Sequence, residues 1–497
     1  MLELSITLPP RGSGAVMRVL HRELRSAILD GRLKPGLRLP STRVLADSWG
    51  VSRNTVMGAY DLLLSEGYLS ARHGAGTYVA VTLPTDTQTA SDDERQTDER
   101  LNAFWRRPPA DLGTTWASAA PGTAPFRIGV PDADAFPFHI WRRLLARSLR
   151  ALAKAPAAFV EPEGRSVLRQ AISNHVSFAR AVASEPRDVV VTSGTQQAFE
   201  LLAKILVTPG ETRVAFEDPG YPPLRAAFIA NSARIIPTPV DSEGLLVESL
   251  PADTRVICVT PSHQFPLGVA MSMRRRAQLL EFARRSGAVV IEDDYDGEFR
   301  FGSTPRDALQ TLDRSASVFY VGTFSKSLFP GIRLGFVVVP RWARHALIMA
   351  KQCADWHSPV LEQDALAAFI AEGHMARHVR KMRKVYSDRR TQLVSGLQTH
   401  FSTWLEPIPA SGGMHLTALA RRTMDWDGIA GGARELGLDV RSLQVYSVGN
   451  TPKSGLVLGY GGTPPAAIRA GLAQLRQLFP REPIRPPAAS RASALSR

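Results

Sequence analysis

The sequence predicts an α/β protein: a small module of three helices and a hairpin, ahead of a large domain built on a mainly parallel sheet. Three observations carry that reading. Residues 16 to 80 hold three helical stretches in a row, followed by a short glycine-tipped hairpin. From Phe126 to about Pro480, β-branched runs alternate with helical stretches, as βαβ units do. Within that region the run VGTFSKSLFPGIRLG, residues 321–335, sets Lys326 and Arg333 among small and hydroxylated residues with an apolar strand on each side.

Composition bounds the rest. A chain of 497 residues is too long for one ordinary core, so two or more domains are expected. Apolar residues make up 44%, and no run approaches the roughly 18 to 20 needed to cross a bilayer, so no membrane partner is expected. The N-terminus lacks the basic-then-apolar pattern of a secretory signal. Two cysteines, Cys258 and Cys353, are too few for a disulfide framework. Cytoplasm is the expected compartment. The net charge of +14 invites a nucleic-acid partner, but all except eight of the 60 basic residues are arginine, a bias that coding composition alone can produce. Motifs, not charge, must decide.

Taken in order, residues 1 to 15 are rich in proline and glycine. Val16, Leu20, Leu24 and Ile28 recur at helical spacing, and Gly31 suits the position after a helix end. Ser41 can cap a second helix with Val44, Leu45 and Trp49 on its apolar face, ending at Gly50. Ser52 can cap a third, with Val56, Tyr60, Leu63 and Leu64 on one side, ending at Gly67. Residues 68–70 and 77–79 then pair around a glycine-rich tip. Together these make a winged helix-turn-helix over residues 12–81. Residues 82–125 are polar and broken by prolines, a flexible linker in which 101–107 can form a short helix. The large domain spans 126–480, with strands expected at 189–192, 214–216, 256–260, 288–291, 318–321 and 335–339. Residues 481–497 read as a disordered tail.

In a winged helix-turn-helix the third helix enters the major groove by its N-terminal end. Here that end is Ser52, Arg53, Asn54 and Thr55. Arg53 suits guanine or a phosphate, Asn54 suits adenine, and the hydroxyls suit phosphate oxygens. Arg38, Ser41 and Arg43 flank the second helix and would face the backbone, while His73 and Gly74 at the wing tip would approach the minor groove. Promoter DNA is therefore the expected partner.

Four segments of the large domain together supply the chemistry of pyridoxal 5'-phosphate. Ser193, Gly194, Thr195 and Gln196 follow a strand and open a helix, whose N–H groups and dipole suit a phosphate. Asp293 and Tyr295 end a buried strand, where a carboxylate holds a pyridine nitrogen protonated and a phenol reaches the ring hydroxyl. Thr323, Ser325, Lys326 and Arg333 offer phosphate contacts and, in Lys326, the amine for a Schiff base. Tyr221, after Asp218-Pro-Gly, is placed to stack on the ring. No metal site is expected.

The segment LPSTRVLA at 39–46, followed by GVSRNTV at 50–56 and EGYL at 66–69, resembles the GntR family of bacterial regulators. Gly58 departs from it, since a longer and often basic residue is usual there. Residues 126–480 resemble fold-type I pyridoxal-phosphate aminotransferases, and the combination is similar to the MocR subfamily. Further matches to that subfamily are FRIGVPD at 126–132, TPSHQFP at 260–266 and EDDYDGEFR at 292–300. The resemblance implies a head-to-tail homodimer that binds its promoter and responds to pyridoxal phosphate, alone or with an amino compound. Three positions depart from aminotransferases: Phe265 replaces an asparagine aimed at the ring hydroxyl, Phe159 a tyrosine that contacts the partner's phosphate, and Val457 an arginine that clamps the substrate carboxylate. Arg441 or His415 could substitute for that last residue.

Two readings of function result. One is a dimeric regulator sensing pyridoxal phosphate or its adduct with an amino compound, with no physiological turnover expected. The lost arginine leans it towards the cofactor itself and control of vitamin B6 supply. The other is a working aminotransferase that carries a DNA-binding domain. A large domain kept only as a dimerisation scaffold is a third.

Overall fold

The computed structural model describes residues 15–72, 76–81, 100–106, 124–155, 158–301, 307–410, 412–449 and 453–480. The chain divides into two compact units, Met1–Arg107 and Pro108–Arg497. Most of 82–125 and all of 481–497 lie outside the described residues, as do His73 and Gly74.

In the first unit, helices α1 (Val16–Leu29), α2 (Thr42–Trp49) and α3 (Arg53–Ser65) precede an antiparallel hairpin of β1 (Leu69–Arg72) and β2 (Gly76–Val79). Local chemistry sets the boundaries. The Ser41 hydroxyl accepts the Val44 N–H at 3.4 Å to start α2, and Gly50 ends it in the left-handed conformation, φ +63°. Ser52 accepts the Thr55 N–H at 3.1 Å to start α3. Leu20, Leu24, Ile28, Leu45, Val56, Tyr60 and Leu63 close over Leu69 and Val79 of the hairpin. Tyr60 adds a hydrogen bond to the Pro40 carbonyl at 3.0 Å, which ties α3 to the entry of α2. One expectation is corrected: Val44 is 56% exposed, and the buried face of α2 is Leu45 and Ala46. A helix of two turns is too short for periodicity to fix its phase. A short helix, Ala103–Arg106, does form in the 101–107 segment.

The second unit is built on eight strands: β3 (Val189–Thr192), β4 (Arg213–Asp218), β5 (Arg234–Asp241), β6 (Gly244–Leu245), β7 (Val256–Val259), β8 (Val289–Asp294), β9 (Val318–Thr323) and β10 (Gly335–Val338). Their spatial order is β3-β10-β9-β8-β7-β4-β5-β6, with β5/β4/β7/β8/β9 parallel and β10 inserted antiparallel between β9 and β3. Strands β3, β4 and β7 to β10 read as continuous apolar runs because both faces are covered, whereas half-exposed β5 and two-residue β6 lie outside the strands expected from sequence. Val190, Phe216, Cys258, Ile291 and Phe319 pack on one side with helix Thr195–Leu206, while Ala215, Ile257, Val290 and Val318 pack on the other with helix Met273–Ser286.

A second sheet lies beyond the strands expected from sequence. It is antiparallel, ordered β11-β12-β14-β13, from β11 (Leu405–Pro407), β12 (His415–Ala420), β13 (Arg441–Ser442) and β14 (Gly455–Gly459). What matters for function is one edge of the large sheet. The carboxyl ends of β3, β4, β8 and β9 all open there, where ligands of open α/β sheets bind. Among the described residues, no helix is long and apolar enough to cross a membrane.

Candidate functional site

Lys326 lies just beyond β9 and reaches into a cavity of about 170 Å³ at that edge. Its Nζ donates to the Gly129 carbonyl at 2.8 Å. Burial lowers the pKa of this amine and the Arg333 charge adds to the effect, although Asp296 and Asp293 oppose it. Gly129 has φ +72°, and a Cβ there would stand 2.7 Å from Nζ. The backbone approaches the lysine closely because glycine leaves the space.

Asp293, one residue before the end of β8, stands at the cavity wall. Burial, then the charges of Asp294 and Asp296, push its carboxyl well above the usual range, and its buried Oδ1 has no hydrogen-bond partner. Its neighbour behaves oppositely. Against the cost of burial, the Arg180 guanidinium at 2.5 Å holds Asp294 below its usual value, helped by the Tyr320 hydroxyl at 2.7 Å. Asp294 is thus held in a direct ion pair, while Asp293 feels the charge of Lys326 without being bonded to it.

The far wall is an anion cradle. Gly194, φ +79°, precedes helix Thr195–Leu206, whose first N–H groups carry no intrahelical bond. Arg333 adopts φ +48°, a left-handed conformation costly for a residue with a side chain, and donates to the Ser193 carbonyl at 2.9 Å. A Cβ on Gly194 would come within 3.0 Å of that guanidinium. Thr195, Thr323 and Ser325 also line the cavity; Thr323 accepts the Ser325 N–H at 3.1 Å, and the buried Ser325 Oγ has no partner. Two side chains expected here point elsewhere. Gln196 is exposed and donates to the Pro223 carbonyl at 3.0 Å, leaving only its backbone at the helix start. Ser193 does not line the cavity; its N–H is taken by Gln197 Oε1 at 2.7 Å.

Aromatic rings close the space. Tyr221 meets Phe265 edge-on at 5.3 Å, and Phe265 meets His415 at 5.2 Å. The Tyr295 hydroxyl bonds His263 Nδ1 at 2.9 Å and the His263 carbonyl at 3.0 Å, and His263 Nδ1 also faces Asp296 at 3.1 Å. Sequence reasoning gave no role to Gly129, His263 or Asp296, though all three stand in motifs it singled out. His263, Asp296 and His415 bring metal-type donor atoms within 4.8 Å of one another. A larger open depression of about 560 Å³, around Val339, Trp342 and Arg314, holds no comparable set of convergent groups.

In the first unit, Ser52, Arg53 and Asn54 are exposed at the start of α3, with Arg43 exposed on α2. Ser41 and Ser52 serve as helix caps, and Ser52 and Thr55 also bond each other at 2.8 Å. Arg38 lies across the wing, its Nε 3.1 Å from where a Cβ on Gly76 would sit.

Both units match known families. Residues 18–79 match the bacterial regulatory proteins of the gntR family, and 129–426 match aminotransferase class I and II. The chain is 38% identical to the probable rhizopine catabolism regulatory protein MocR of Rhizobium meliloti, over 93% of each. The chain belongs to the MocR-type regulators. It is also 31% identical to the pyridoxine biosynthesis regulator PdxR of Corynebacterium glutamicum, over 96% of this chain and 98% of that one. The α-aminoadipate aminotransferase LysN of Thermus thermophilus superposes with a TM-score of 0.66 at 27% identity, over 71% of this chain and 91% of LysN. As a MocR-type chain, this protein is a DNA-binding transcriptional regulator with a pyridoxal-phosphate aminotransferase fold behind its helix-turn-helix.

Within the MocR-type framework the three departures have clear surroundings. Phe265 is buried and lines the cavity. Phe159 is 76% exposed and stacks on Trp356 at 5.0 Å. Val457 is fully buried with Phe265 and Tyr446, so no cation stands there. Arg441 lies opposite Val457 in the β13/β14 register but pairs with Asp439 at 2.8 Å, and it does not line the cavity. His415 does.

Proposed function

We propose that this cavity holds pyridoxal phosphate and that its occupancy sets how the helix-turn-helix engages promoter DNA. The observation carrying the proposal is the convergence of Lys326, Asp293 and Arg333 on one cavity. The residues fit the group. The buried, unpartnered Asp293 Oδ1 suits a protonated ring nitrogen, and the cradle of Gly194, Thr195 and Arg333 suits a phosphate. The backbone N–H of Gln196 belongs to that cradle, with Thr323 and Ser325 beside it. Tyr221 and Phe265 flank the ring, and Tyr295 stands at the side of its hydroxyl. Bound there, the cofactor supplies an aldehyde that engages primary amines and a ring that withdraws electrons. Lys326, whose pKa burial lowers, supplies the resident amine.

The signal is the cofactor alone or the cofactor with an amino compound. Val457 supports regulation over turnover, because an α-amino acid finds no arginine for its carboxylate at that position. Arg38, Arg43, Arg53 and Asn54 form the DNA-reading set, with Ser41, Ser52 and Thr55 positioning the helix starts. Exposed Phe159 and Trp356 support a head-to-tail second copy. A DNA partner supports a cytoplasmic site of action.

Borohydride reduction of protein incubated with pyridoxal phosphate, followed by peptide mass mapping, tests the cofactor role. The adduct is expected on Lys326 and is expected to vanish in Lys326→Ala. A label spread over other lysines would contradict the assignment. Sustained amino transfer from an amino donor to 2-oxoglutarate would favour the enzyme reading.

A further inference from the structure

Once Lys326, Asp293 and Arg333 are given to the cofactor, the cavity lining still includes Asp296 and His415, next to Phe265. The chemistry of Asp296 and His415 is that of acceptors. Asp296 is 2% exposed yet lines the cavity, and its Oδ2 receives His263 Nδ1–H at 3.1 Å. His415 donates Nε2–H to the Pro266 carbonyl at 3.0 Å. Burial disfavours the charged ring, and in the neutral ring that donates from Nε2 the Nδ1 is an acceptor. The Tyr295 hydroxyl is already spent on His263.

Among the described residues, no ammonium or guanidinium other than Lys326 and Arg333 lines the cavity. The β14 position that would bring one is Val457, sealed under Phe265, and Arg441 opposite it is held by Asp439. A carboxylate here would be desolvated beside Asp296, with the cavity's two cations, Lys326 and Arg333, already given to the cofactor, which is unfavourable. An ammonium or hydroxyl would meet a carboxylate, an imidazole nitrogen and an aromatic face, all of which favour it.

We propose that the small molecule admitted beside the cofactor is an amine without a carboxylate, whose far end donates hydrogen bonds, from a second ammonium or a hydroxyl, to Asp296 and His415. The ligand class is set by these acceptors, and it rests on the cofactor reading, which gives Lys326, Asp293 and Arg333 to pyridoxal phosphate.

The test uses the full-length protein loaded with pyridoxal phosphate, with uptake recorded by absorbance before any amine is added. Calorimetric titrations then compare 1,4-diaminobutane, 4-amino-1-butanol and 4-aminobutanoate, which share a four-carbon chain and differ at one end. At least one of the two carboxylate-free amines is expected to bind at least about tenfold more tightly than 4-aminobutanoate, the scale of one charge-assisted hydrogen bond. The diamine and amino-alcohol arms separate ammonium from hydroxyl as the donor. In Asp296→Asn the ratio of diamine to 4-aminobutanoate affinity is expected to fall by about tenfold; the ratio is internal to each protein, so a loss of folded material does not mimic it. Equal or tighter binding of 4-aminobutanoate, no binding of either carboxylate-free amine, or an unchanged ratio in Asp296→Asn would overturn the proposal. Failure to take up pyridoxal phosphate in the first step would instead overturn the cofactor reading on which it stands.

Discussion

Lys326 Nζ sits 2.8 Å from the carbonyl oxygen of Gly129, 197 residues away in sequence, and any Cβ on Gly129 would stand 2.7 Å from that nitrogen. The lysine is thus held by one neutral acceptor in a slot that only a glycine leaves open. Gly129→Ala is expected to displace the amine, since the position also has φ +72°, and to weaken pyridoxal-phosphate uptake by about tenfold or more, an energy of at least about 1.4 kcal/mol. An absorbance titration checks it, and a wild-type curve would show that the contact is incidental.

Arg53 is the first residue of α3 and is exposed. If it reads a guanine, Arg53→Ala should weaken operator binding by roughly 1 to 3 kcal/mol and relax specificity at one base pair. If it meets a phosphate, binding falls uniformly across sequences and the salt dependence becomes shallower. A binding curve that does not move would remove Arg53 from the contact set.

Gly58 lies inside α3, where a Cβ would make ordinary contact with Met17 Cγ at 3.4 Å. Nothing in its surroundings requires glycine. Gly58→Ala should stabilise the N-terminal unit by about 0.5 to 1 kcal/mol through lower chain entropy and better helix propensity. Thermal unfolding of the full chain, followed by a probe in that unit, measures the shift; destabilisation would mean that the helices pack more tightly there than the 3.4 Å contact implies.

Burial pushes the Glu217 carboxyl up to about 7, although Thr260 and Gln264 donate hydrogen bonds to it. Its ordinary value is about 4.5, so across that window the folded protein keeps a proton that the unfolded chain has released. Stability should therefore fall as pH rises from about 4.5 to about 7 and then level off. Glu217→Gln should remove this decline, matching the parent near pH 5 and exceeding it near pH 8 by on the order of 2 kcal/mol. Unfolding curves at about these two pH values decide, and a variant less stable than the parent at the higher one would contradict the assignment.

What was legible in the sequence was local. Ser41, Gly50 and Ser52 mark helix ends through chemistry within a few residues, and β3, β4 and β7 to β10 announce themselves as doubly buried apolar runs, whereas half-exposed β5, with its two prolines, and two-residue β6 do not. Lys326, Asp293 and Arg333 were readable because each lies at or near the end of such a strand. Val44 was misplaced because one or two turns of helix do not define a stripe, and the buried Ala46 is too small to mark one. The sheet β11–β14 escaped because its strands are short and β12 pairs with β14 across a long insertion, with polar His415 and Thr417 buried on β12. The His263–Asp296–His415 cluster was illegible for a related reason: its members come from three segments that only tertiary folding brings together. Gln196 shows the opposite limit, since its place in sequence fixed where its backbone lies but not where its side chain points.

If the protein is a sensor, cofactor occupancy must be felt at the DNA. Footprinting and affinity on the chain's own upstream region decide this, using cofactor-free full-length protein before and after adding pyridoxal phosphate, then with a carboxylate-free amine. Affinity or footprint is expected to change on adding pyridoxal phosphate, alone or with the amine, and Lys326→Ala is expected to abolish the change. Binding that is identical in all states, with the cofactor demonstrably attached, would contradict the regulatory role assigned to the cavity.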